Sequence, residues 1–455
     1  MKKIISLILV SCLVLSCMAG CGTKTPEPTD GPLELPLSTE PEVVETEPST
    51  EPVIEETEPE IEEPVTPGLL VEPAKPVAFE SWQDEWIGCG LPDNDENALI
   101  SPLSLKMACL LAAAGAEGDT QTQLLDMFGY DNLDEFLSWG ETVMGVQDAL
   151  AVKSMGMEDG GVDDEGNFIG MSWGNLDGST FKIANGIWHN TNEPGVFKDD
   201  YKARVERLSA AIEAMPGSEL KDAINNWANE ATNGLIPRVV GDEVAQSNNV
   251  LANALYLKAS WINQFEGPFE EEDFTTKSGD VVKKTMMTQE TKFRYYADEQ
   301  CSLAILPMYD GFSMMVVKGD TYDIQNKMNQ AEYTLLNLKM PKFEITYSAP
   351  DIAGLMKHLG VSDAFDPALA DFKGMMDVDT FISSISQDSK IVVDENGVEA
   401  AAVTVMQMAT SGLITEPPQP VVFHLDEAFT FYIYYEMEID GEFVPELLFY
   451  GEYNQ

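Results

Sequence analysis

The sequence predicts an α+β fold for most of this chain, with helices ahead of strands and antiparallel or mixed sheets. Three observations carry that expectation. Helix signals concentrate between residues 101 and 232, and strand signals between 249 and 450. The chain closes on a hairpin signal, Asp440-Gly441, set between two strand-like runs. Of 455 residues, 44% are apolar and 9% aromatic, enough for a large core.

A hydroxyl before a proline opens the first helix. Ser101 offers the cap, Pro102 suits the first helical position, and the helix runs over 103–114. Asp119 reads as the cap of a second helix over 120–128, stopped by Gly129. Over 219–232, Ile224, Trp227, Ala228 and Ala231 fall on one helical face, and Gly234 follows. A helix over 351–359 ends at Gly360. Strand-like runs occupy 249–258, 302–307, 312–318 and 334–348, then 429–439 and 443–450 across the hairpin turn.

Residues ahead of position 74 do not belong to that fold. Lys2 and Lys3 precede an apolar run over 4–14, too short to span a bilayer. Met18-Ala19-Gly20-Cys21 then resembles the end of a bacterial lipoprotein signal peptide, 1–20, with Cys21 lipidated and Cys17 as the second candidate. An ordinary cleaved secretion signal is the alternative. Under both the protein is exported, either anchored to the cell surface at Cys21 or secreted. Residues 21–73 read as a disordered Pro/Glu/Thr-rich stalk. Within 26–73 lie fifteen Asp or Glu, eleven Pro and no Lys or Arg, and Thr-Glu-Pro recurs four times. Charge repulsion and polyproline preference keep such a segment extended, to roughly 150 Å at ~3.1 Å per residue. Residues 74–455 form the folded domain, with no second linker.

Lys and Arg number 26 and Asp and Glu 78, a formal net charge of −52. That charge excludes nucleic acid, heparin-like activators and anionic membrane as electrostatic partners. Membrane contact is expected only through the lipid anchor. Three histidines, His189, His358 and His424, cannot build a histidine-rich metal site. Outside the signal, Cys89, Cys109 and Cys301 show no disulfide or metal spacing. No metal and no cofactor are expected.

Three motifs lack the surroundings their chemistry needs. Gly170-Met171-Ser172-Trp173-Gly174 matches the nucleophile elbow, but a turn-like 175–179 follows where a helix is required. A hydrolase using Ser172 is therefore the least supported reading. Ser218-Glu219-Leu220-Lys221 lacks the S-D-N and K-T-G partners of penicillin-recognising enzymes. The acidic 159–167 lacks the alternation and terminal Glu of an EF-hand.

The informative segment is Glu395-Asn396-Gly397-Val398-Glu399-Ala400-Ala401-Ala402-Val403-Thr404-Val405-Met406-Gln407-Met408-Ala409-Thr410-Ser411-Gly412. It holds no proline, and no charge after Glu399. Read with period two, one face carries Val398, Ala400, Ala402, Thr404, Met406 and Met408, small to apolar throughout. That face suits entry into a sheet, whereas as an exposed loop the segment is an aggregation hazard. An ordinary buried strand, or a helix over the alanines, also fits the segment taken alone.

Blocks distributed from about residue 79 to the end resemble the serpin family of serine protease inhibitors. Ile100-Ser101-Pro102-Leu103-Ser104 and Gly115-Ala116-Glu117-Gly118-Asp119-Thr120 come first, then Ala184-Asn185-Gly186-Ile187-Trp188. Asn253-Ala254-Leu255-Tyr256-Leu257-Lys258-Ala259-Ser260-Trp261, with Phe265, is the most specific block. Met340-Pro341-Lys342-Phe343 and Phe449-Tyr450-Gly451 follow in family order. The resemblance implies a serpin fold: helices packed on a large mixed β-sheet plus smaller sheets, with an exposed reactive loop.

It also implies a mechanism. A serine protease, or for some members a cysteine protease, attacks the loop as substrate. The cut loop inserts into the large sheet and the acylated protease is trapped. The hinge falls on Glu395, Gly397, Val398, Glu399, Ala400, Ala401 and Ala402. Trp261, Lys342, Ser101, Ser104, Asn253 and Gln387 mark where the sheet opens, with a Glu395–Lys342 ion pair at its top. Counting seventeen residues from Glu395 puts the scissile bond at Ser411–Gly412, with Met408, Ala409 and Thr410 as alternatives. No Lys or Arg occurs between 391 and 455, which argues against trypsin-like targets. Small residues suit elastase-like or subtilisin-like proteases instead. Val398 departs from the family's usual Thr or Ser, and Gln387 from a frequent His. The expected protein is a monomeric, exported inhibitor and not an enzyme. A non-inhibitory serpin-fold binding module on the cell surface is the alternative.

Overall fold

The computed structural model describes residues 82–83, 87, 91, 94–155, 179–349, 352–382, 385, 387–398, 419–439 and 442–455. The chain divides into Met1–Leu69 and Leu70–Gln455, and every described residue belongs to the second unit. The signal, Cys21 and the stalk lie outside the described residues, as do Cys89, Ser172 and the acidic 159–167.

The first part of the domain is mainly helical. β1 (Ala98–Ile100) leads into α1 (Pro102–Ala113), α2 (Gly118–Met127) and α3 (Leu133–Met155). After β2 (Thr180–Asn190) come α4 (Asp199–Glu206), β3 (Ala211–Met215) and α5 (Gly217–Ala231). Strands then take over: β4 (Asn249–Ser260), β5 (Glu266–Thr275), β6 (Val281–Ala297), β7 (Cys301–Pro307) and β8 (Phe312–Gly319). A short α6 (Ile324–Asn329) precedes β9 (Glu332–Pro341) and β10 (Phe343–Ala349), and α7 (Ile352–His358) precedes β11 (Gln387–Val393). β12 (Gly397–Val398), β13 (Val421–His424), β14 (Phe429–Ile439) and β15 (Glu442–Tyr453) complete the order.

The strands form two mixed sheets. A nine-stranded sheet runs β1-β15-β14-β8-β7-β6-β9-β13, with β5 also on β6. A six-stranded sheet runs β10-β11-β12-β4-β2-β3. Of the expected hinge residues, Gly397 and Val398 lie in the six-stranded sheet, as β12. α1 packs against β4 of one sheet and β15 of the other, so it is buried on nearly every side. Its sequence is apolar apart from Ser104 and Lys106, which suits such a position. Ser101 caps it, its Oγ accepting from the Ser104 N–H at 3.2 Å.

Two expectations are corrected. α2 begins at Gly118, so Asp119 lies in its first turn and does not cap it. A distant loop fixes that start instead: the Glu117 N–H donates to the Asp371 carbonyl at 2.8 Å, and the Asp371 N–H to Thr120 Oγ1 at 2.9 Å. The single run at 334–348 is two strands in different sheets, β9 and β10, parted at Lys342. Pro341 has no N–H with which to continue a ladder. The Lys342 N–H donates to the Thr285 carbonyl at 2.9 Å.

Candidate functional site

The turn over 394–397 leads from β11 into β12, and its own sequence makes it. The Asp394 N–H donates to the Gly397 carbonyl at 3.0 Å. Asp394 Oδ1 accepts from the N–H groups of Asn396 at 2.8 Å and Gly397 at 3.2 Å. This is the local bonding for which Asp and Asn are favoured in turns. The turn returns the chain so that Val398 lies between Val393 of β11 and Ala259 of β4, antiparallel to both. Val398 is 2% exposed. Gly397 passes so close to β4 that a Cβ there would collide with the Ala259 carbonyl oxygen.

The connection from β4 to β5 grips this turn from one side. The Trp261 N–H donates to the Asn396 carbonyl and its Nε1 to the Asp394 carbonyl, both at 2.9 Å. The Phe265 N–H donates to the Glu395 carbonyl at 3.1 Å. Lys342 grips it from the other side through an ion pair with the Glu395 carboxylate. The Lys342 ammonium also sits 4.1 Å from the centre of the Phe269 ring. Burial is the largest influence on Glu395 and opposes its ionisation, but the hydrogen bond from Lys342, a bond from its own backbone N–H and the Lys342 charge together hold the carboxyl below its ordinary range.

A second cluster lies eight residues down β4, about 26 Å away at ~3.3 Å per residue. Ser104 Oγ donates to Asn253 Oδ1, which ties β4 to α1. Asn253 Nδ2 donates to Asn185 Oδ1 at 2.8 Å, and Asn185 Nδ2 to the Leu208 carbonyl at 2.9 Å. On the other flank Gln387, at the foot of β11, bonds the backbone of Ser101. Between these flanks lies a cleft of about 140 Å³ lined by Leu251, Asn253, Cys109, Met356, Gln387 and Asp388. Burial pushes the Cys109 thiol up, so it stays protonated. Burial also raises the Asp388 carboxyl, more than its bond from Ser348 lowers it. Among the described residues, β4 and β11 are joined only through β12 at their upper ends.

The structure thus separates the six sheet-region residues into a top, Trp261 and Lys342, and a floor, Ser101, Ser104, Asn253 and Gln387. Glu395, Gly397 and Val398 belong to the top. Glu399, Ala400, Ala401, Ala402, Met408, Ala409, Thr410, Ser411 and Gly412 lie outside the described residues. Asp394 and Phe269 escaped the sequence reading. The Asp-Glu-Asn-Gly run was a turn signal that points to the first. Nothing local points to the second. Among the described residues, no group of three or more His, Cys, Asp or Glu is placed to hold a metal ion. No helix among them is long and apolar enough to cross a membrane.

A family model described as Serpin (serine protease inhibitor) matches residues 90–454. Serpin B6 of Pongo abelii is 26% identical over 371 residues, 75% of this chain and 90% of that protein. The structure of Serpin48 from the insect Tenebrio molitor, described as highly specific, is 26% identical with a TM-score of 0.60 and covers 79% of this chain and 92% of its own. Tengpin, a thermophilic serpin in its native state, gives a TM-score of 0.65 at 23% identity, covering 84% and 97%. At that identity the likeness is one of fold alone.

Proposed function

The chain belongs to the serpin family, and from that premise we propose that it traps serine proteases irreversibly as a suicide substrate. A protease serine Oγ attacks the carbonyl carbon of a loop residue within 408–412. The peptide C–N bond breaks, the leaving amine takes the proton the serine gave up, and an ester joins loop to protease. The chain beyond Val398 then enters the cleft between β4 and β11. The ester is carried out of its hydrolytic geometry before water reaches it. On this reading the protein is an inhibitor and not an enzyme, and its action needs no cofactor.

The observation that carries the reading is β12. Its antiparallel pairing with both neighbours sets the direction and register of any strand that continues from it. Beyond Glu399, which falls on the alternate face from Val398, Ala400, Ala401 and Ala402 are small and uncharged, so their burial meets little resistance. Small residues at 409–411, with no Lys or Arg after 390, support elastase-like or subtilisin-like targets. Export and a lipid anchor at Cys21 are part of the proposal and rest on the sequence signal. The stalk then holds a monomeric domain away from the envelope.

The test is incubation of the purified chain with pancreatic elastase and with subtilisin. An SDS-stable complex with cleavage inside 408–412 is expected. Clean cleavage with full protease activity remaining, for every protease tried, overturns trapping and leaves a binding module on a stalk.

A further inference from the structure

We propose that Phe269 is a positioning residue for the hinge: its ring holds the Lys342 ammonium against Glu395 and so sets how readily the 394–397 turn releases. The consequence for inhibition rests on the reading above.

The ion pair alone is a weak latch. The Lys342 and Glu395 side chains are 27% and 28% exposed, so solvent screens their attraction and chain entropy opposes it. A ring face 4.1 Å from Nζ changes that balance. The negative face of the ring attracts the cation and shields one side of it from water, and it leaves the ammonium protons free for the carboxylate. Phe269 is half-buried between the exposed pairs Gly267, Pro268 and Glu270, Glu271, so the ring turns inward from an otherwise solvated stretch. The same short segment supplies Trp261 and Phe265, whose N–H groups hold the turn's backbone. Backbone and counter-ion of the turn are therefore gripped from one piece of chain.

Two amides report release directly. The Trp261 and Phe265 N–H groups exchange with solvent when their bonds to Asn396 and Glu395 open. Hydrogen exchange of peptides over 261–265 is expected to quicken roughly two- to thirtyfold in Phe269→Leu, the range of a lost cation–π contact. The other β4 amides should be unchanged. Phe269→Trp, with the stronger cation-binding ring, is expected to slow exchange below wild type, a result that holds even if the leucine variant misfolds. In a Lys342→Met background both Phe269 variants should have no further effect. Unchanged exchange in the tryptophan variant, or equal effects with and without Lys342, overturns the proposal, because the ring then acts by packing alone. Elastase trapping by the same variants separates the two readings. Altered exchange without any trapping keeps the role of Phe269 and removes the inhibitory function.

Discussion

Gln387 and Ser101 exchange two hydrogen bonds, each 2.8 Å: the Ser101 N–H donates to Gln387 Oε1, and Gln387 Nε2 donates to the Ser101 carbonyl. One side-chain amide thus ties the foot of β11 to the residue that caps α1. Gln387→Leu removes both bonds. The Ser101 carbonyl keeps the Leu105 N–H as a donor at 3.2 Å, but the Ser101 N–H loses its acceptor in a buried site. A loss of about 1–3 kcal/mol is expected from that orphaned donor. Denaturant unfolding measures it, and an unshifted midpoint would show that the amide pair contributes nothing.

Gly397→Ala puts a Cβ into the Ala259 carbonyl. β12 must then leave the sheet, exposing Val398 at a cost of about 1.5–3 kcal/mol in lost apolar burial. The expected signs are a lower unfolding midpoint and new proteolytic nicking next to 398. A variant as protease-resistant as wild type would mean that β4 yields instead.

Ala400→Arg tests the fate of the hinge after cleavage. On the proposed mechanism the residue two beyond Val398 takes the same inward face, where a charge has no partner. Elastase should still cut the loop but should no longer be held, so turnover replaces complex formation. Undiminished trapping would remove insertion from the mechanism.

His424 is expected to contribute to the loss of stability in acid. Its Nε2 lies 2.9 Å from Asn337 Oδ1, on the neighbouring strand β9. Burial first, and Lys339 second, hold its pKa below the ordinary 6.5; Asp426 and Glu272 oppose this, and Lys318 adds to it. The fold therefore favours the neutral ring. Its contribution is complete above pH 6.5 and is lost as pH falls through 6.5 toward the lower folded value. Unfolding midpoints between pH 8 and 5 should fall less steeply for His424→Gln than for wild type. Parallel curves would assign the acid sensitivity elsewhere.

What could be read from sequence followed how local each cause was. β14 showed itself through β-branched and aromatic residues, and α1 through its cap and proline. β5 did not, because Glu270, Glu271, Glu272 and Asp273 give it no strand propensity; only pairing with β6 makes it one. α3 was missed although its signal was present. Asn132 Oδ1 accepts from the Glu135 N–H at 3.0 Å while Asn132 Nδ2 donates to Glu135 Oε1 at 2.8 Å, a local side-chain cap. At the site, the Glu395–Lys342 contact came from family resemblance, since nothing in the spacing of the two residues brings them together. Phe269 was invisible because its role exists only where β5 crosses the junction of β9 and β10.

β12 is a nucleus in the sense of polymer physics. A strand that enters a sheet from solution must close a loop and find its register before any pairing compensates the lost entropy. Gly397 and Val398 have already met both conditions, with two residues seated and neighbours on each side. If the cut loop inserts as proposed, what remains beyond Val398 is propagation, one residue at a time, along edges whose register is set. On the proposed mechanism the native chain is a zipper with its first teeth engaged, and the speed of its closing is set by the residues beyond 398, not by a search for the starting point.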